Sequence, residues 1–296
     1  MGSTNSRETI KGKISKVVVL CGGTSPERDV SISSGKNVLK ALKNLGMNSE
    51  IMIWNGDFKE LDAINSMCFI MLHGSPGEDG SVQRFFEERN VPYTGSDSKS
   101  CEITIDKIKT KEYFQKLKIK TPKWSSDPSS FPCVFKPRFG GSSIGVRIIF
   151  SETEIGRSSE DGFYEDYIDG REITVSILDI DGIPTVLPIL EIIPKGKFYD
   201  YESKYSPDGS KLITPAPLNF WERSEIEKAA LKVYKEINCR GFARIDGIIL
   251  NGEFYFLEVN AIPGMTPTSD LPASARAFGL EMEDVVIELL YSAMRR

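Results

Sequence analysis

The chain is poor in the residues that build soft-metal sites and membrane spans. It has one histidine, His73, and five cysteines at 21, 68, 101, 133 and 239 that form no C-x-x-C pair and lie near no histidine cluster. That pattern argues against a zinc site or a disulfide frame and for reduced, structural thiols in a cytosolic protein. No apolar run approaches the roughly 20 residues a membrane helix needs, since the candidate "PTVLPILEII" is cut by prolines and a glutamate. An excess of positive charge is also missing. The net charge is -5 and the pI about 5.3, which argues against a sequence-independent grip on nucleic acid while leaving room for a local basic phosphate pocket. The start, "MGSTNSRETIKGK", lacks the apolar core of a signal peptide and reads as a polar arm. Only two glutamines, Gln83 and Gln115, stand beside many lysines and glutamates, a compositional cue to a heat-adapted source.

The 296 residues suffice for two or three domains with real cores. The first third alternates: "KVVVLCGG" reads as a buried strand, "ISSGKNVLKALKNLG" as a helix closed by glycine, "SEIMIW" and "CFIMLHG" as further strands, then a helix at "SVQRFFEERN" and a short strand at "PYTG". This pattern predicts an α/β unit with a largely parallel sheet, whose ligands gather beyond the carboxyl ends of the strands. From about Cys101 the pattern changes to one helix, "TIDKIKTKEYFQKLK", followed by hairpin-like strands, the mark of a small α+β unit. The remainder carries a long polar loop over 199–217, a helix at "ERSEIEKAALKVYKEIN", paired strands "FARIDGIIL" and "EFYFLEV", and a last helix at "EDVVIELLYSAMR". By its length that loop is a lid or disordered.

Three constellations carry chemistry. In "FKPRFGGSSIGV", Lys136 ends a strand and two glycines and two serines form a turn; this is a phosphate cradle or, more blandly, a flexible hairpin with a solvated lysine. It is not a P-loop, because the lysine precedes the glycines and a strand follows. In "FYFLEVN", Glu258 and Asn260 are two apart on a strand and share a face. In "FARIDGIIL", Arg244 and Asp246 do likewise. Pairing the two strands gathers Asp246, Glu258 and Asn260 into an oxygen cage suited to Mg2+, with a surface salt bridge as the plainer alternative. "FYEDYIDGRE" offers Glu165 and Glu172 around a segment, Asp166 to Ile168, that could read an adenine edge or be a solvated connection. His73 and Glu27 stand just beyond strand ends, where a structural histidine and a helix cap would also explain them.

Taken in order, "GGTSPERDVSISSG", "HGSPGEDGSVQ", "DK", "FKPRFGGSSIGV", "REITVSIL", "YDYESKY", "ARIDG" and "LEVNAIPGMTPTS" resemble the D-alanine–D-alanine ligases of the ATP-grasp superfamily from about Lys16 onward. The resemblance implies an α/β and α+β multidomain protein, an ATP-grasp fold with an N-terminal Rossmann-like domain, divided as 1–97, 98–172 and 173–296. It implies that Lys107, Lys136, Ser142 and Ser143 hold ATP phosphates, that Glu165, Asp166, Tyr167 and Ile168 meet adenine and that Glu172 meets ribose. Asp246, Glu258 and Asn260 would bind two Mg2+ ions, replaceable by Mn2+. Glu27 would hold the amino group of the first D-alanine, with His73 near its carboxylate. Arg244 and Gly264 would stabilise the tetrahedral species, Ser269 and Leu271 would flank the second D-alanine, and Lys204 and Tyr205 would come from the lid, Tyr205 bonded towards Ser142 and through it towards Glu27. The expected activity is ATP-dependent joining of two D-alanines through an acyl phosphate, for peptidoglycan precursors, in the cytoplasm, with a homodimer as the expected assembly. The alternatives are a ligase using D-lactate or D-serine, or a nucleotide-binding domain without turnover. One departure is Gly140, where that family commonly carries an acidic residue.

Overall fold

The computed structural model describes residues 10, 12–155, 161–194 and 209–295. Strand β1 (Val17–Gly22) is buried along its whole length and lies between β2 (Ser49–Trp54) and β3 (Met67–Ile70), both parallel to it. A strand covered on both faces must be apolar throughout, as "VVVLCG" is. Helix α1 (Arg28–Asn44) packs on this sheet, and α2 (Ser81–Glu88) follows β3. The expected strand at "PYTG" is reduced to a single bridge between Cys68 and Tyr93. Gly22 has φ +96°, and a Cβ there would lie 2.7 Å from the Trp54 carbonyl oxygen, so only glycine lets β1 turn towards α1.

The single helix expected over 104–118 is two. Helix α3 (Ser98–Ile105) stops at Asp106, whose backbone is extended, and α4 (Lys107–Lys116) starts after it. The Asp106 carboxylate accepts from the Ile108 and Lys109 N–H groups, capping α4, and pairs with both nitrogens of the Arg138 fork at 3.0 and 2.7 Å. A capped break outcompetes continuity here because it satisfies donors that a helix start leaves open.

Two antiparallel sheets follow. One has the order β4–β7–β5–β6, from Trp124–Ser125, Gly162–Asp166, Cys133–Pro137 and Arg147–Ile149. The other has the order β11–β10–β8–β12–β13, from Ser210–Ile213, Leu190–Pro194, Arg171–Ile180, Phe242–Leu250 and Glu253–Asn260, with β9 (Ile183–Val186) also on β8. The predicted pairing of β12 with β13 is present. Helix α5 (Phe220–Glu236) begins with an Asn219–Glu222 capping box, and with α4 it covers the apolar side of β8, β12 and β13.

Helix α6 (Asp270–Phe278) was not among the elements expected from the sequence, and it contains one proline. Pro272 sits in the first turn, where a missing N–H costs no helical bond. With α7 (Met282–Met294) it packs into the core of the first sheet. All five cysteines are free and buried; burial pushes the thiols of Cys21 up to about 11 and Cys239 up to about 12.

Asp179 on β8 ties these parts together. It accepts from the Tyr234 hydroxyl of α5 at 2.9 Å, the Gly241 N–H at 2.7 Å and the Ser292 hydroxyl of α7 at 3.1 Å. Replacing it with alanine strands three buried donors, so Asp179→Ala should lower unfolding stability by about 3 kcal/mol. Urea unfolding of both proteins measures this; a change below about 1 kcal/mol would mean the junction relaxes without it.

Candidate active site

Two adjoining cavities lie where the three sheets meet. The larger, about 400 Å³, is walled by Lys136, Ser143, Glu165 to Ile168, Glu172 and Asp246, with apolar cover from Phe139, Ile144, Val146, Ile192 and Leu257. The smaller, about 80 Å³, is walled by Glu27, His73, Glu78, Ser142, Arg244, Asn260, Gly264, Ser269 and Asp270. Lys107, Gly140, Gly141 and Glu258 belong to both.

The acidic cluster follows from strand register. In the β12–β13 pair Arg244 stands opposite Asn260, and Asp246 opposite Glu258, with the register shifting just beyond, where Leu257 is the extra residue. A bulge at that point re-aims side chains on the bulged strand. Arg244 forks onto Asp246, Nε to Oδ1 at 2.9 Å and Nη2 to Oδ2 at 2.7 Å, and its Nη1 lies 3.6 Å from Asp270 Oδ2. Burial disfavours the Arg244 charge, but Asp246, Asp270 and Glu258 outweigh it and fix the guanidinium as a cation. Thr174 donates to Asp246 Oδ1 at 2.6 Å, and the Ile262 N–H bonds Asn260 Oδ1 at 2.9 Å. Lys107 Nζ is 3.7 Å from Glu258 Oε2 and donates to the Gly140 carbonyl.

The glycine-serine turn holds Ser142 and Ser143 at φ +53° and +57°, left-handed conformations unusual for residues with a Cβ. Ser142 Oγ donates to Glu27 Oε1, which supplies the described half of the expected Tyr205–Ser142–Glu27 link. Gly140, at φ +95°, has open space around it. His73 is buried with Nε2 3.3 Å from Ser34 Oγ and Nδ1 3.8 Å from Glu78 Oε1, while Glu78 Oε2 accepts from the Gly74 N–H at 2.8 Å. Ser269 precedes the first turn of α6 without a side-chain capping bond, and its hydroxyl is 2.8 Å from Thr266 Oγ1 and accepts from the Thr266 N–H at 3.1 Å.

Several placements lie outside the sequence reading. The Glu165 side chain is buried between two lysines, Oε1 2.6 Å from Lys136 Nζ and Oε2 2.7 Å from Lys111 Nζ. Lys111, wholly buried, also donates to Thr121 Oγ1 at 2.8 Å; its spacing of four from Lys107 on α4 was the available signal. Glu78 and Asp270 line the small cavity, and Thr174 supports Asp246. The side chain of Leu271, expected beside the second substrate, is instead buried in the core around the first sheet. Lys204 and Tyr205 lie outside the described residues.

Sheets, cleft and shared wall are those of an ATP-grasp enzyme with an N-terminal Rossmann-like domain. The family described as D-ala D-ala ligase C-terminus matches residues 105–291. The D-alanine–D-alanine ligase of Thermotoga petrophila is 43% identical over 295 residues, covering 94% of this chain and 97% of its own. The crystal structure of the Bacillus anthracis D-alanine–D-alanine ligase complexed with ATP is 30% identical, with a TM-score of 0.81 over 96% of this chain and 98% of that one. The VanG D-Ala:D-Ser ligase from Enterococcus faecalis superposes with a TM-score of 0.82 at 25% identity, over 95% and 100%. The chain belongs to the D-alanine–D-alanine ligase family.

The buried Lys111–Glu165–Lys136 group generates a test. Burial pushes the Glu165 carboxyl up, but the two lysines outweigh it and hold it below its ordinary value of 4.5. A depressed folded value makes its contribution complete above pH 4.5 and lost as the pH falls through the folded value. Glu165→Gln leaves two buried ammonium groups without their shared counter-charge, so it should destabilise the protein by roughly 3 to 5 kcal/mol at neutral pH. It should also flatten the acid limb of the stability profile, read by urea unfolding across the acid range; an unchanged limb would assign the acid dependence elsewhere.

Proposed function

We propose that this protein joins two D-alanines to D-alanyl-D-alanine at the expense of ATP. The supporting observation is the shared wall. Lys107 and Glu258 border both a larger cavity with apolar cover, of a size for a nucleotide, and a small polar cavity, of a size for amino acids. A γ-phosphate at that wall meets the carboxylate of an amino acid in the small cavity. The carboxylate oxygen attacks phosphorus, ADP leaves, and an acyl phosphate forms. The amine of a second D-alanine then attacks the acyl carbon, phosphate leaves with the bonding electron pair, and the ammonium proton is lost to solvent or a nearby base.

In this reading Lys107 and Lys136 oppose the mutual repulsion of carboxylate and phosphate, and Arg244 with the Gly264 N–H stabilises the tetrahedral oxyanion. Glu27 holds the first ammonium and is itself oriented by Ser142, with His73 near the first carboxylate and Ser269 beside the second substrate. The adenine lies along Asp166 to Ile168, with Glu172 on the ribose, and Ser143 closes over the phosphates. The lid expected to carry Lys204 and Tyr205, which lie outside the described residues, belongs to the same reading and would keep water from the acyl phosphate. The loop expected over 199–217 is shorter than its sequence suggested, because Ser210–Ile213 forms β11.

The donor set suits magnesium: Asp246 and Glu258 are opposed across two strands, and Asn260 adds an amide oxygen on the same face. When bound, Mg2+, or Mn2+ in its place, would supply positive charge against the phosphate oxygens. The division at 97/98 and 172/173 and a homodimer belong to the same proposal. So does a cytoplasmic place, which the five buried thiols support; no described helix is long and apolar enough to cross a membrane.

Incubation with ATP, Mg2+ and a panel of D-alanine, D-serine and D-lactate should give D-alanyl-D-alanine as the main product, with phosphate release that requires D-alanine. ATP turnover indifferent to D-alanine, or a predominantly ester product near pH 7, would refute the proposal. Glu258→Gln keeps shape and removes charge, so turnover should fall about 100-fold or more while the protein stays folded.

A further inference from the structure

Helix α1 begins at Glu27, its N-cap, the carboxylate that serves the first ammonium in the proposed reaction. Further along it, Ser34 and Asn37 are three residues apart and so neighbours on one helix face. They reach a residue 231 and 228 positions away in the chain. Asn37 Nδ2 donates to the Met265 carbonyl at 2.8 Å, and the Met265 N–H donates to Ser34 Oγ at 3.1 Å. Ser34 is wholly buried, and its hydroxyl also lies 3.3 Å from His73 Nε2. Met265 is itself buried in the core of the first sheet, where both of its backbone groups need partners. Helix α1 supplies both.

Met265 follows Gly264, which lines the small cavity. A Cβ at Gly264 would lie 2.8 Å from Ser269 Oγ, so a side chain there would displace that hydroxyl. The position therefore suits glycine, the residue whose backbone is least restrained by its own atoms. The direction of the Gly264 N–H must then be set by what flanks it. Upstream, the Ile262 N–H is held by Asn260 Oδ1 at 2.9 Å, and the ring of Pro263 fixes its own φ. Downstream, the bonds from α1 fix the peptide planes before and after Met265. The freest residue of the loop is pinned between them, and the downstream half of the pin belongs to the helix that starts at Glu27.

Resting on the proposed ligase reading, we propose that Asn37 is a positioning residue for the peptide-forming step: acting through Met265, it aims the Gly264 N–H at the oxyanion that forms on the acyl carbon. One helix then sets the separation between the carboxylate that holds the first amino acid and the donor that meets its carbonyl. Removing an oxyanion donor outright costs about 100- to 1,000-fold in rate, and loosening its aim costs part of that. Phosphoryl transfer onto the carboxylate builds no tetrahedral carbon, so the earlier step does not call on this donor.

The test uses the full chain with ATP, Mg2+ and D-alanine. Asn37 is half-buried in a helix, and alanine is the better helix former, so Asn37→Ala is expected to fold. It should lower kcat for dipeptide formation about tenfold and leave KM for ATP and for the first D-alanine within about twofold. Acyl-phosphate formation, read as exchange of the β,γ-bridging oxygen of labelled ATP, should be unchanged. Asn37→Gln keeps an amide donor and should recover most of kcat. Asn44→Ala removes a different tie from the same helix, the 2.7 Å bond to Glu283, and should leave kcat as it is. An Asn37→Ala kcat within about twofold of wild type would overturn the inference. So would equal losses in oxygen exchange and dipeptide formation, or an equal loss in Asn44→Ala, either of which would reduce α1 to a scaffold. A wild-type protein that makes no dipeptide overturns the ligase reading and this inference together; one that makes it while Asn37→Ala matches its kcat overturns this inference alone.

Discussion

The register of β12 against β13 is the constraint on which the site depends. Arg244 opposite Asn260 and Asp246 opposite Glu258 put a guanidinium, two carboxylates and an amide on one face of two neighbouring strands. A slip of one residue would turn Glu258 and Asn260 to the other face. That face is apolar and packed against α4 and α5, with Ile245, Phe256 and Val259 in its core. Burying two polar groups there without partners would cost several kcal/mol, so the hydrophobic side of the sheet enforces the geometry of its polar side. The extra residue at Leu257 accommodates the mismatch and leaves that side chain in the wall of the larger cavity.

The charges in the cleft are arranged in sets with their counter-charges already in place. Arg244 is held by Asp246, and Lys136 by Glu165. Because Glu165 also keeps Lys111, Lys136 can turn towards an incoming anion without leaving a bare carboxylate in the interior. Burial lowers the Lys111 affinity for its proton, while Glu165 and Glu258 raise that of Lys136 against the same burial. The lysine on the cavity wall is therefore the firmly charged one, and the lysine behind it is the one strained by desolvation.

Much of this was legible in the sequence wherever a local rule and the tertiary structure agree. The buried parallel strand, the capped helix α5 and the β12–β13 pair follow from periodicity and turn residues, and the strand spacing placed Arg244 with Asp246 and Glu258 with Asn260 on shared faces. What was not legible depended on contacts distant in sequence. Arg138, 32 residues on, helps Asp106 divide one predicted helix into two. Helix α6 carries Pro272 in its first turn, the one part of a helix that tolerates proline, and no periodic pattern announced it. Lys111 has no motif to announce it, since its partner Glu165 arrives from another sheet. Leu271 and Asp270 are adjacent, and only the direction in which α6 enters the core decides which faces the cleft.

The cysteines carry a practical consequence. None is exposed, none is bonded to another, and burial raises the thiols of Cys21, Cys68, Cys133 and Cys239, so that few thiolates exist near neutral pH. The folded chain is thus nearly silent to maleimides and other thiol reagents. A single cysteine placed on its surface would carry a fluorophore or spin label at one site, against an unmodified background, and distances across the cleft could be followed during turnover.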